Sequence, residues 1–248
     1  MRRSAIITIT FLLIGLLAAC NDSPPATPQA EDTQTPVSTS IPTPGLIPTL
    51  PAGANPVVIS ELLGGVQGNN NHEFIELYNR STAAIDLRGW TLWYRLPTGQ
   101  EDLLVYRFET RTMIPPFGHY LIGRAGEDLG LPVDAEFEQA LNTAGGGLQL
   151  RDQDENIQDI LGWGNSQDGY FEGTSAPALP NGSTLERLPT SPAGIAVDTG
   201  DNAADFILNP NPSPQNTGSP ITPALSPCLG ISLSAPAAAE PGSSFIYN

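Results

Sequence analysis

Between residues 57 and 216, apolar and polar positions alternate over short stretches separated by Gly, Pro, Asn and Asp. The stretches are Val57–Leu62, Glu73–Tyr78, Gly89–Arg95, Leu103–Phe108, His119–Gly123, Gly147–Arg151, Ile157–Trp163 and Thr184–Leu188, rich in Val, Ile, Leu, Thr and aromatic residues. A period of two puts successive side chains on opposite faces of a strand. Trp90, Leu92 and Tyr94 therefore share one face and Thr91, Trp93 and Arg95 the other; Leu148 and Leu150 alternate with Gln149 and Arg151. No comparable stretch keeps a 3.6-residue apolar period. Short, regularly spaced strands with turn residues between them predict an all-β fold, an antiparallel sandwich or barrel. Gln153-Asp154-Glu155-Asn156 reads as the turn of one hairpin. Asp86-Leu87-Arg88-Gly89 reads as a turn sending Trp90 into the core, and Pro115-Pro116-Phe117-Gly118 as a loop opening a strand. Trp90 and Trp163 both sit in strand patterns, which predicts core positions.

The flanks have other patterns. Arg2 and Arg3, the apolar run Ala5–Leu17 and the closing Leu17-Ala18-Ala19-Cys20 form a secretory signal. The terminal cysteine resembles a bacterial lipobox, which implies residues 1–20 as the signal, a cut before Cys20 and a lipid on its thiol. The apolar run falls short of the ~20 residues that a spanning helix needs. Residues 21–56 are a Pro/Thr/Ser-rich stretch without hydrophobic period, read as a disordered stalk. Residues 57–216 are the folded domain and 217–230 a linker. Residues 231–248 resemble the opening of a β-sandwich repeat of large bacterial surface proteins, cut short after its second strand, so either a truncated chain or a decayed domain is expected.

Composition narrows the partners. The chain has 248 residues, a formal net charge of −16, and 25 each of Gly and Pro. All of its basic residues are arginine. Nucleic acid is not an expected partner, because phosphate binding needs a basic face. With Cys20 acylated, Cys228 has no intrachain partner, so a disulfide framework is excluded.

One ordered set of residues carries a family resemblance. It runs Val58-Ile59-Ser60-Glu61-Leu62, Glu73-Phe74-Ile75-Glu76-Leu77-Tyr78-Asn79 and Ile85-Asp86-Leu87-Arg88-Gly89-Trp90-Thr91-Leu92. It continues through Ile114-Pro115-Pro116-Phe117-Gly118-His119-Tyr120-Leu121-Ile122, Gly147-Leu148-Gln149-Leu150-Arg151-Asp152 and Asp159-Ile160-Leu161-Gly162-Trp163-Gly164. It closes with Ser183-Thr184-Leu185-Glu186-Arg187, Asp201-Asn202-Ala203-Ala204-Asp205-Phe206 and Pro212-Ser213-Pro214-Gln215-Asn216. The set resembles the lamin tail domain, the immunoglobulin-like module of nuclear lamins that also occurs in bacterial secreted proteins. The resemblance implies an immunoglobulin-like antiparallel β-sandwich. The Gly/Asn-rich Gly64–Asn71 segment departs from it and reads as a loop, ligand-facing or floppy.

Chemistry is sparse. His72 and His119 are the two histidines, and His72-Glu73 fails as a zinc-protease motif because Glu76 stands where the second histidine belongs. There is no Gly-x-Ser-x-Gly elbow, phosphate loop or zinc-spaced Cys/His cluster. Asp152, Asp154 and Asn156 begin like an EF-hand, but Ile157 and Trp163 occupy the glycine and glutamate positions, so a hairpin turn is the better account. Two acidic groups are oxygen-ligand candidates for Ca²⁺: Asp198, Asp201, Asn202 and Asp205 in one Gly-containing loop, and Glu61, Glu73 and Glu76 on early strands. The competing reading is ordinary caps and solvent-face charge. Glu76 lies between Phe74 and Tyr78; if that face is buried it needs a partner, and an arginine is the available cation.

The expectation is a non-enzymatic protein on the extracytoplasmic face of a bacterial envelope membrane. It would be held through a lipid on Cys20 and present its domain for binding, adhesion or scaffolding, with an envelope protein or glycan as ligand. Two alternatives stay open: a metal-dependent extracytoplasmic hydrolase or accessory using the carboxylates, and a structural spacer for a missing C-terminal repeat region.

Overall fold

The structure is a computed structural model that describes residues 50, 53–167, 170–189 and 196–222. The signal with Cys20, most of the stalk, Cys228 and the 231–248 stub lie outside the described residues. All eight predicted runs are strands. They are β1 (Val57–Val66), β2 (Asn69–Asn79), β4 (Thr91–Arg95), β5 (Leu103–Arg107), β7 (His119–Arg124), β9 (Gly145–Arg151), β10 (Ile157–Gly164) and β11 (Thr184–Arg187). Four more are short: β3 (Ile85–Asp86), β6 (Met113–Ile114), β8 (Ala135–Phe137) and β12 (Phe206–Asn209), the last preceded by a one-turn helix α1 (Asn202–Asp205).

Two sheets face each other. One runs β12-β11-β1-β2-β7-β8 and the other β10-β9-β4-β5; β3 pairs with β6 beside them. Pairing is antiparallel except at the edge, where β8 adds parallel to β7. The core between the sheets takes alternate residues from both: Val57, Ile59, Leu62, Ile75, Leu77 and Ile122 from one, Leu92, Tyr94, Leu148, Leu150, Leu161 and Trp163 from the other. Trp90 and Trp163 are buried as expected. The stretch Gly64–Asn71 is not a separate loop. It extends β1 and β2 into one hairpin, with Gly68 in the left-handed region (φ 86°) at the turn.

The predicted turns form as read. Asp86 Oδ1 accepts from the Arg88 N–H, and the Trp90 N–H donates to the Leu87 carbonyl. Asp152 Oδ1 accepts from the N–H groups of Asp154 and Asn156, closing the β9–β10 hairpin.

The outer face of the six-stranded sheet is crossed by the segment after β12. Ser213 N–H donates to Glu61, Gln215 N–H to Glu76, Thr217 N–H to Asp134 and Thr222 N–H to the Phe117 carbonyl. The described chain thus stays bonded to the domain through Thr222. There Ile221, with Leu50 from the other end, packs on a small cluster of Val58, Tyr78, Phe117 and Ala196.

Candidate functional site: an acidic cleft and a buried acidic cluster

A register shift in β1 sets up the cleft. Ile59 and Leu62 both enter the core, although they are three apart, because a bulge between Ile59 and Glu61 absorbs one residue. Ser60 and Glu61 thereby come to the outer side, where Glu61 stands opposite Glu76 on β2 and Glu186 on β11. Unpaired, three carboxylates side by side would repel. Donors gather instead: Glu76 accepts from Ser60 Oγ (2.6 Å), the Gln215 N–H (2.6 Å) and His119 Nδ1 (2.8 Å). The partner of Glu76 is therefore a histidine across the strand pair and not the arginine expected from sequence. A carboxylate only accepts, so Nδ1 carries the proton and Nε2 is left to face elsewhere. His119 is buried and Nε2 has no hydrogen-bond partner.

Ser60, Glu61, Glu76, Tyr78, His119 and Arg187 are among the residues lining a cavity of about 150 Å³ on this face. Burial pushes the Glu61 carboxyl up to about 7; the Ser213 N–H pulls it down, and Glu76 raises it again. Glu73 does not join them. It is an odd number of positions from Glu76 on β2, so it points to the opposite face, where it accepts from the Leu141 N–H (2.9 Å) and meets Arg124 at 3.5 Å. Burial pushes Glu73 also to about 7. A second, more open depression of about 490 Å³ lies near the β1–β2 hairpin, with Gly64 and Asn70 on its rim beside Leu96, Thr143 and Asn181.

The residues Asp198, Asp201, Asn202 and Asp205 do not converge on one point. Asp201 caps α1, accepting from Ala203 and Thr174 N–H groups. Asn202 is fully buried, its Oδ1 accepting from Gly162 and Glu172 N–H groups and its Nδ2 donating to the Ile160 carbonyl. Asp205 accepts from the Thr199 N–H and hydroxyl and lies 3.6 Å from Arg187. Asp198 pairs with Arg80 at 2.7 Å.

Asp198 instead meets two carboxylates from elsewhere, Asp159 on β10 and Glu172 in the connection before β11. One oxygen from each of the three lies within 4.8 Å of the others. Asp159 Oδ2 accepts from the Ile59 N–H (2.7 Å) and from Arg187 (2.6 Å), which ties the edge of one sheet to the middle of the other. The Arg187 side chain is completely buried, bonded also to the Ile59 and Val197 carbonyls and stacked 4.3 Å over the Phe206 ring. Asp159 Oδ1 and Glu172 Oε2 are buried without a partner. Sequence reasoning missed His119, Asp159, Glu172 and Arg187 as site residues. Asp159 and Arg187 lie inside the Asp159–Gly164 and Ser183–Arg187 motifs. Nothing in the local sequence marks Glu172, because its neighbours come from distant segments.

An immunoglobulin-like β-sandwich with its polar groups at one end and on one outer face is the class that this fold defines. Residues 51–165 match the family model of the Lamin Tail Domain. Over these residues the chain is similar to the lamin tail domain. The match ends after β10, and β11 and β12 complete the six-stranded sheet. Among solved structures, the chain is similar to that of a DUF4876 family protein from Bacteroides thetaiotaomicron VPI-5482. The TM-score is 0.49 at 12% identity, covering 62% of this chain and 71% of that one. No curated protein matches the chain in sequence.

Proposed function

We propose that this chain is a lipid-anchored protein of the bacterial envelope whose lamin tail domain is a non-catalytic binding module, with the acidic outer cleft as its ligand site. The observation that carries the reading is the cleft itself. Its ~150 Å³ is below the ~300–1,000 Å³ of pockets that enclose whole small molecules. That size suits one protruding group of a larger partner, an amine or hydroxyl of an envelope protein or glycan. The Glu61 carboxylate, which lines the cavity together with His119, supplies an acceptor for such a donor-bearing group. Glu76, the carboxylate with the geometry to act on a histidine, is taken up by three donors of the fold and serves to orient the ring. The tether through Cys20 and the Pro-rich stalk would hold the domain off the membrane, since two or more acyl chains give stable anchoring.

The test has two arms. Mass spectrometry of the N-terminal peptide should find acyl chains on Cys20, and a Cys20→Ser protein should leave the detergent phase; an unmodified Cys20 removes the anchor. Full-length protein should then be applied to an envelope-glycan array and, with a photo-crosslinker at Gln215, to its own envelope. Capture of one glycan class or one protein, lost in Glu61→Gln, supports the reading and says which ligand it is. Hydrolytic turnover of envelope substrates, with or without divalent metal, would replace it by an enzyme.

A further inference from the structure

We propose that Asp159, Glu172 and Asp198 form a binding site for a divalent cation of the calcium type, at the edge of the four-stranded sheet where β10 meets the segments before β11 and α1. Three independent features converge there.

The first is geometry. Calcium takes oxygen ligands at ~2.3–2.6 Å, so two ligands of one ion stand up to about 5 Å apart. The three carboxylate oxygens, within 4.8 Å of one another, fit that span with no rearrangement of the chain.

The second is the state of the ligand atoms. Asp159 is 2% exposed, and although Oδ2 is bonded twice, Oδ1 is buried with no partner. Glu172 Oε2 is in the same condition. Buried acceptors in native proteins are almost always satisfied, and two orphaned oxygens in one cluster call for a cation or a proton.

The third is charge. Asp159, Glu172, Asp198 and Asp205 lie together against Arg187 and Arg80. Neither arginine is free to turn toward Glu172: Arg187 is held by the Ile59 and Val197 carbonyls, and Arg80 by those of Asn55 and Ala196. Four acids against two arginines leave two negative charges, which one dication cancels. Burial, with the neighbouring acids adding to it, pushes Glu172 up to about 7. Burial also pushes Asp159 up to about 6, against the pull of Arg187. Asp198 is exposed and gives the ion a path from solvent.

The site uses no residue of the outer cleft as a ligand, so it stands whether or not that cleft binds anything. A shared proton can quiet the same two oxygens at low pH, which gives the test its discriminating axis. Full-length protein in detergent is melted with millimolar CaCl₂ and with NaCl of equal ionic strength, at pH 8 and pH 5, and titrated calorimetrically with CaCl₂ alone. The expected result is one site per chain, with affinity in the ~10⁻⁴–10⁻³ M range of extracellular modules. Calcium should raise the melting temperature at pH 8 and much less at pH 5, because protons compete for the ligands. Glu172→Gln removes a charge without breaking a side-chain hydrogen bond. It should weaken calcium binding about tenfold or more and leave the calcium-free protein as stable or more so. Asp198→Asn should weaken binding likewise. Absence of a calcium-dependent rise at pH 8, or a rise that survives unchanged in both variants, overturns the proposal.

Discussion

Arg187 shows how one side chain can tie this domain together. It is fully buried, bridges β1 on one sheet to Asp159 on the other, and covers the Phe206 ring. Arg187→Leu would keep much of the volume and strand Asp159 without its cation. A buried pair broken from one side costs about 3–5 kcal/mol, which urea denaturation at neutral pH should read. The buried glutamates make a second prediction. Glu61, Glu73 and Glu172 each rise from 4.5 to about 7 in the folded state. Between those values the native state keeps protons that the unfolded chain releases, so stability falls as pH rises from about 4.5 to about 7. At Asp102 and Asp152 burial pushes upward, but their hydrogen bonds together outweigh it and the net shift is downward. These two contribute stability that is lost as pH falls through the carboxylate range. In calcium-free buffer the melting temperature should therefore be higher near pH 5 than at pH 8. A melting temperature rising steadily from pH 5 to pH 8 would contradict this. At this scale the sequence was only half legible. The need of Glu76 for a partner could be read from its place between Phe74 and Tyr78. That the partner is His119 depends on the register of β2 against β7, which pairs Tyr78 with His119, and local pattern carries no information on register.

At the scale of elements, strands long enough to alternate were visible and the others were not. β3 and β6 have two residues each, too few to show a period of two, and they exist because Ile85 and Ile114 meet across the pair. β12 comes after a one-turn helix and leaves Ile207 and Leu208 exposed, so it lacks the apolar/polar contrast that would mark it. The segment 217–222 was equally hidden. Polar and turn-rich, it reads as linker, yet its N–H groups reach Asp134 and the Phe117 carbonyl, continuing the crossing that Ser213 and Gln215 begin at Glu61 and Glu76. Deleting residues 212–222 would leave Glu61 and Glu76 each short of a donor, at about 1–3 kcal/mol apiece, and lower the melting temperature. A pair of glycines gives a sharper test. Gly147 and Gly162 are cross-strand partners on β9 and β10, and a Cβ on either would collide with the Tyr170 carbonyl. They form a slot in which the chain at Tyr170 and Phe171 lies against the sheet. Gly162→Ala should lift that segment and with it Glu172, costing about 1–3 kcal/mol by chemical denaturation. The calcium response should fall in the same variant.

For the whole molecule, fold class and family were readable because many weak motifs occurred in a fixed order. Function was not, because a sandwich of this kind is a frame on which sites differ. The acidic excess was visible as a net charge of −16. The charge count hid that several of the acids are inside, with Glu61, Glu73, Glu76, Asp159 and Asp205 all buried. Their carboxylates hold loops and sheets in place and contribute little to the exposed surface.

Leu50 and Ile221 pack on one and the same small cluster, so the chain enters and leaves this domain at neighbouring points. A module so arranged adds almost no reach between the chain on its N-terminal side and the chain on its C-terminal side. Tension applied through both ends would not shear the sheets along their length. It would peel the 210–222 segment from the outer face, releasing the Phe117, Asp134, Glu76 and Glu61 bonds one after another, so the first thing a pulling force uncovers is the acidic cleft.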